Sequence, residues 1–176
     1  MVRFALALLL LPLFQAAPVN AGPPVDGPNA RFDDPFLENL VGDWDLTRSV
    51  RGETVKNQVQ VAWILNHQFL QIHMISPETP PQYEALLLIG YSHADSEYVI
   101  HWCDVWGGKF SSLGKGKRAG DQIEFGFDGT FYNTFVWDPK ERGWTFRMES
   151  ADAAGARKPF ATDVLRRAAP AATTSK

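Results

Sequence analysis

Residues Gln58–Ile75 read QVQVAWILNHQFLQIHMI, and the spacing of the apolar residues in this run predicts its secondary structure. Apolar side chains recur at almost every second position on both sides of a central Asn66-His67 pair. A period of two is the spacing of a strand that buries one face, and two such runs joined by a short polar turn predict an antiparallel hairpin. We therefore predict strands over Gln58–Leu65 and Phe69–Ile75.

The same period continues through most of the chain. Turn signals rich in Gly, Asn, Asp and Pro separate the apolar runs, and no helical repeat is long enough for a parallel crossover. Beyond the first hairpin, the predicted strands are Trp44–Val50, Tyr83–Tyr91, Tyr98–Val105, Phe110–Lys117, Gln122–Phe127, Phe131–Asp138, Trp144–Ser150 and Phe160–Arg166.

Consecutive short strands of this kind predict an all-β fold. They close most simply into an antiparallel up-and-down barrel of about eight to ten strands, because closure leaves no strand edge exposed. Asp33-Asp34-Pro35 predicts a short N-terminal helix over one end, since an acidic cap precedes proline at the first helical position. Most runs are shorter than the about 9–11 residues of an outer-membrane strand, which disfavours a membrane barrel.

The first residues predict export to the periplasm or beyond the cell. Arg3 is followed by an unbroken apolar run, Phe4–Phe14, which is shorter than the about 20 residues that cross a bilayer. Val19-Asn20-Ala21 is an acceptable cleavage signature. The expected organisation is a signal peptide at 1–21, a linker at 22–31, a barrel domain at 32–167 and a disordered tail at 168–176.

The composition is that of an ordinary globular protein. The 176 residues are 45% hydrophobic and 21% charged, with a formal net charge of −3, which argues against a nucleic-acid partner that would need a basic surface. The single cysteine excludes an intramolecular disulfide. No integral membrane span follows the leader. The oligomeric state is left open by the sequence.

Four segments resemble, in order, the bacterial lipocalin-like proteins grouped as domain-of-unknown-function family 1579. Gly42 and Trp44 match the G-x-W of the wider lipocalin and calycin group, in which the tryptophan plugs the closed end of the barrel. The resemblance implies a lipocalin-like barrel with this plug, and it implies no chemistry. The matching segments are LVGDW at 40–44, NHQFL at 66–70, IGYSHADSEY at 89–98 and WCD at 102–104.

Motifs for catalysis are missing from the sequence. It holds no G-x-S-x-G, no H-E-x-x-H and no phosphate-loop motif. A metal could take His73, His101 and Cys103 only if a meander brought strands together across an intervening one. No histidine follows His101, which argues against the haem ligation of related barrels. We predict no catalytic residue, no metal and no cofactor.

The remaining candidates lie on alternating positions of the predicted strands. Trp102 and Asp104 share one face of their strand, and an inward carboxylate among rings could orient a ligand in an apolar pocket. Two orientations are open: Asp104 faces solvent near the strand end, or it is buried and then needs a partner, either Arg147 or the ligand itself. The candidate ligand-binding residues are Trp63, His73, Tyr91, His101, Trp102 and Asp104.

These features predict an exported, non-enzymatic protein that encloses a small apolar or amphipathic molecule inside the barrel. Two alternatives stay open. The first is an enzyme on the same barrel, with Asp104 and His101 as acid–base residues, which requires both side chains in one pocket. The second is a packed, ligand-free barrel that acts through its surface. A cavity of several hundred Å³ would favour binding over the packed barrel.

Overall fold

The strands of the chain form one closed barrel. The computed structural model describes residues 26–28 and 30–169, so the predicted signal peptide, much of the linker and most of the tail lie outside the described residues. Each strand pairs antiparallel with the next, and β1 closes the barrel on β10. The predicted all-β up-and-down barrel with a short N-terminal helix is confirmed. The elements are α1 (Pro35–Glu38), β1 (Gly42–Val50), β2 (Glu53–Ile64), β3 (Phe69–Ile75), β4 (Glu84–Ser92), β5 (Glu97–Asp104), β6 (Ser112–Ala119), β7 (Gln122–Phe127), β8 (Phe131–Asp138), β9 (Gly143–Ala151) and β10 (Arg157–Arg167).

One strand begins well before its predicted start. β2 starts at Glu53 rather than Gln58, and its pairing with β1 continues to Val50 opposite Glu53. Arg51 and Gly52 join the two strands with φ of 50° and 84°, the left-handed conformation of a tight hairpin turn. The added residues are mostly polar and show no alternation, so only the pairing with β1 makes them a strand.

Alternate side chains of the strands point into the barrel, and most of them are apolar. On β6 the inward positions Gly114 and Gly116 leave space for rings from β7. A Cβ on Gly114 would stand 2.7 Å from the Phe127 ring, and one on Gly116 would stand 2.8 Å from the Phe125 ring. Phe135 and Phe146 stack beside them with ring centroids 3.8 Å apart. The aromatic residues are therefore, first of all, the packing of the barrel.

The segment before β1 covers one end of the barrel, here called the capped end. Asp34 starts α1 by accepting hydrogen bonds at Oδ1 from the amides of Phe36 and Leu37, at 2.8 and 3.3 Å. Trp44 is 1% exposed, and its indole N–H donates to the carbonyl of Leu40 at 2.7 Å. The Arg167 guanidinium carbon lies 3.9 Å from the centroid of the Trp44 ring. This cation–π contact adds to the backbone pairing of β1 with β10 at the capped end.

The opposite end, here called the loop end, holds the β1–β2, β3–β4, β5–β6, β7–β8 and β9–β10 connections. Three large apolar side chains of the β5–β6 connection are exposed there, Val105, Trp106 and Phe110. Among the described residues, no helix has the length and apolar character needed to cross a membrane.

Candidate ligand-binding site

The structure separates the predicted ligand-binding residues into three places. Trp63 and Tyr91 pack against the core at the capped end, and Trp63 donates its indole N–H to Glu38 Oε2 at 2.7 Å. Trp102 and Asp104 share the inward face of β5 and lie toward the loop end. His73 and His101 occupy the other phase of their strands. The six residues therefore do not form one pocket.

The two histidines lie on the outer wall of the barrel. His73 Nε2 is 2.7 Å from Glu84 Oε1, and His101 is exposed beside Cys103. His101 faces away from Trp102 because neighbouring side chains of a strand point to opposite faces. His73 pairs with Leu86, which pairs with Cys103, so His73 lies on the same outer face as Cys103 and His101. Neither can line the interior. In the part of the chain that is described, no three His, Cys, Asp or Glu side chains are grouped as metal ligands.

The hydrogen-bond donors to Asp104 come from its own strand and from the loop that follows it. It accepts hydrogen bonds from the Trp102 indole at 3.3 Å and from the Trp106 amide at 3.0 Å. Arg147, the partner predicted as one alternative, lies on the outer face and donates to Gln122 instead. His101 and Asp104 point to opposite faces, so the acid–base pair required by the enzyme alternative is not assembled.

A buried ion pair that the sequence interpretation missed lies inside the barrel. Arg48 of β1 donates from Nε and Nη2 to the two carboxylate oxygens of Asp163 on β10, both at 2.7 Å. Their side chains are 12% and 0% exposed. Burial raises the pKa of Asp163, although the guanidinium opposes this; burial lowers the pKa of Arg48, but the carboxylate more than reverses it. The sequence held a signal for this ion pair, because Arg48 lies on the same face of its strand as the apolar residues Trp44 and Leu46.

Two buried amides in the interior lack hydrogen-bond partners. Asn133 is 0% exposed, and neither its Nδ2 nor its Oδ1 is bonded within the described residues. It lies on β8 opposite Phe125 and Met148, both of which are core residues. The Nδ2 of Asn57, which is 4% exposed, is likewise unpartnered. Such groups cost about 1–3 kcal/mol each when left unsatisfied, so each requires a partner such as ordered water or a polar group of a ligand.

A groove of about 560 Å³ opens at the capped end, outside the packed interior. Residues 31–35 form one side, and the β4–β5 hairpin and the end of β6 form the rest. Tyr98 crosses its floor and donates from its hydroxyl to Asp34 Oδ2 at 2.6 Å. Burial raises the pKa of Tyr98, and the Asp34 carboxylate raises it further, so this phenol stays protonated as a donor.

We expect Tyr98→Phe to lower the free energy of unfolding by about 1.5–3 kcal/mol. The variant removes a buried hydrogen bond to a charged acceptor and leaves Asp34 with one donor fewer. Urea unfolding, monitored by tryptophan fluorescence, measures the change in the free energy of unfolding. Tyr91→Phe is the matched control, since the Tyr91 hydroxyl makes no hydrogen bond with the described side chains, and it should change stability by less than about 0.5 kcal/mol. Equal effects of the two variants would contradict this role of Tyr98.

The chain forms a ten-stranded closed antiparallel barrel whose interior holds the Arg48–Asp163 ion pair, and this architecture is consistent with a lipocalin-like binder.

The chain is similar to the crystal structure of Rv2717c from M. tuberculosis, with a TM-score of 0.52 and 13% sequence identity over 77% of this chain and 99% of that one. At this identity the likeness shows the fold alone. No family model matches the chain. No curated protein matches it either.

Proposed function

We propose that the chain is an exported, lipocalin-like binding protein that takes a small amphipathic molecule into the barrel, between side chains that pack the interior in this structure. The observation that carries the proposal is Asn133, a wholly buried amide that finds no partner among the rings and aliphatic groups around it. Folded proteins pair such groups as a rule, with ligands or ordered water where protein groups do not reach. A ligand that brings its own hydrogen-bonding group would supply the missing partner.

The charge state of the interior narrows the ligand class. Arg48 and Asp163 neutralise each other through two short parallel hydrogen bonds, so neither presents a free charge to a guest. The unpaired atoms are the amide donor and acceptor of Asn133 and the amide donor of Asn57. The favoured ligand is therefore apolar over most of its surface and carries an uncharged polar group such as a hydroxyl, carbonyl or amide.

Export and family membership belong to the same proposal. The apolar run after Arg3 and the small residues before Gly22 support a cleaved leader. The G-x-W at Gly42 and Trp44 supports a place in the bacterial lipocalin-like family 1579, since Trp44 is buried under α1 at the capped end. A carrier or sensor of a small envelope molecule suits these features together.

Native mass spectrometry of the protein purified from its own envelope tests the proposal. We expect a co-purified small molecule of constant mass, and we expect refolding from denaturant to remove it. The stripped protein should then bind N-phenyl-1-naphthylamine, an uncharged apolar probe with one N–H donor. The absence of a bound species across repeated preparations, together with no probe binding, would rule out the carrier.

Asn133→Leu should separate binding from folding. We expect it to raise the free energy of unfolding of the stripped protein by about 1–3 kcal/mol, because an apolar side chain of similar size replaces an unsatisfied amide. The same variant should lose the co-purified molecule and weaken probe binding at least about tenfold. Thr134→Val, on the outer face of the same strand, is the control and should leave binding unchanged. Unaltered binding in Asn133→Leu would place any ligand elsewhere.

A further inference from the structure

The groove at the capped end is a second candidate site, independent of the barrel interior. Residues 26–28 and 30–35 lie at this end of the barrel and are fastened to it at several points. Asp26 accepts hydrogen bonds from the amides of His93 and Ala94 at 2.9 and 3.2 Å, and the Phe32 amide donates to the His67 carbonyl at 3.0 Å. Beside this segment lies the groove of about 560 Å³, within the usual size of small-molecule sites.

The acidic groups that line the groove are already engaged. Asp34 accepts from two backbone amides at Oδ1 and from the Tyr98 hydroxyl at Oδ2. Asp33 is bonded by Arg31 at 3.1 Å and lies 3.2 Å from Nδ1 of His67. Neither carboxylate is left as a free acceptor that would attract a cation.

Of the basic residues that line the groove, Arg31 pairs with Asp33, whereas Lys117 and Arg118 are largely free. Among the described residues Lys117 makes no ion pair or side-chain hydrogen bond, and Arg118 uses only its Nε, which donates to the Gly120 carbonyl at 2.9 Å. The Arg118 guanidinium carbon lies 4.3 Å from the centroid of the Phe36 ring, which orients the plane while its terminal N–H groups remain available. The unsatisfied groups of the groove are therefore donors, and two of them carry positive charge.

One wall of the groove is aromatic. Phe32 and Tyr91 stack with ring centroids 5.5 Å apart, and Tyr98 meets Tyr91 edge-on at 5.1 Å. All three rings line the groove. A planar apolar body packs well against such a wall, while a negative group can reach the basic side at the end of β6.

We infer that the capped-end groove binds a small organic anion with a planar apolar body, such as an aromatic carboxylate. Its ring lies against Phe32 and Tyr91, and its anionic group accepts hydrogen bonds from Arg118, with Lys117 adding charge at the rim. The site differs in ligand chemistry from the interior, where the unpaired groups are neutral amides.

Calorimetric titration with 1-naphthoate and with the uncharged 1-naphthalenemethanol tests the inference. We expect the purified protein to bind naphthoate at least about tenfold more tightly than the alcohol, with the advantage falling as salt is raised. Arg118→Gln and Lys117→Gln should each weaken naphthoate binding about three- to tenfold and leave the alcohol unaffected. A loss of packing alone would affect both probes equally.

Two controls distinguish binding in this groove from binding elsewhere on the protein. Lys115→Gln removes a lysine of the same strand that does not line the groove and is paired with Glu97, and it should not alter naphthoate binding. Asn133→Leu should not alter it either. No naphthoate binding, equal affinity for the alcohol, or equal losses in Lys115→Gln or Asn133→Leu would overturn the inference while leaving the interior proposal to its own test.

Discussion

Asp163→Leu is expected to lower the free energy of unfolding by about 3–5 kcal/mol, one of the two largest effects predicted for single substitutions in this chain. The carboxylate is 0% exposed and holds the guanidinium of Arg48 with two hydrogen bonds of 2.7 Å. Its removal leaves a cation that is itself only 12% exposed without a counter-charge in the barrel interior. Urea unfolding at neutral pH measures the difference.

The double variant Arg48→Met/Asp163→Leu is the matched control. Replacing a buried ion pair by apolar groups of similar volume is often neutral or stabilising, because neither charge then has to be desolvated. We therefore expect the double variant to recover most of the stability lost in Asp163→Leu, and the two single effects to be far from additive. A loss below about 1 kcal/mol in Asp163→Leu would mean that Arg48 reaches solvent once its partner is gone.

Trp44→Ala is expected to lower the free energy of unfolding by about 3–5 kcal/mol, the second of the two largest effects. The indole is 1% exposed, donates to the Leu40 carbonyl at 2.7 Å, and carries the Arg167 guanidinium at 3.9 Å from its ring centroid. Its loss opens a cavity at the capped end and removes the cation–π contact with Arg167, while the backbone pairing of β1 with β10 is kept. Thermal unfolding measures the loss of stability, and hydrogen exchange of the backbone amides around Arg167 measures the local effect at the capped end.

Two variants control for the kind of contact that Trp44 makes. Trp44→Phe keeps a smaller ring under Arg167 and loses the indole hydrogen bond with part of the buried ring, so we expect a smaller loss of stability, about 1–3 kcal/mol. Trp106→Ala removes a tryptophan that is 70% exposed at the loop end, and it should change stability by less than about 0.5 kcal/mol. A cost for Trp106→Ala similar to that of Trp44→Ala would contradict the distinction between the two ends.

The fold could be predicted because its main signal is local. The alternation in Gln58–Ile75 and the turn residues between later runs identified ten strands, and Phe69–Ile75, Gln122–Phe127 and Phe131–Asp138 have the predicted bounds. Strand periodicity depends on which face of each short segment is buried, and that is visible in the sequence. The start of β2 at Glu53 was missed because its polar residues are held by pairing with β1 and not by burial.

The candidate site was harder to predict because the sequence does not assign inward and outward faces. His73 and His101 are predicted together with Trp102 and Asp104 as ligand-binding residues, yet the barrel places the histidines outside. Arg48 and Asn133 are absent from that prediction, although each occupies an apolar phase of its strand. A charged or amide side chain in that phase is the signal that can reveal interior polar groups in such barrels.

What the sequence determines by itself is the set of strands, their order and the helix start at Asp34-Pro35, because each depends on residues a few positions apart. What only the tertiary structure decides is which side chains meet across the closed barrel. Arg48 and Asp163 are 115 positions apart and pair only because β1 closes on β10. The unpartnered Asn133 and the groove beneath residues 31–35 arise in the same way, since contact, burial and enclosed space depend on closure of the whole sheet.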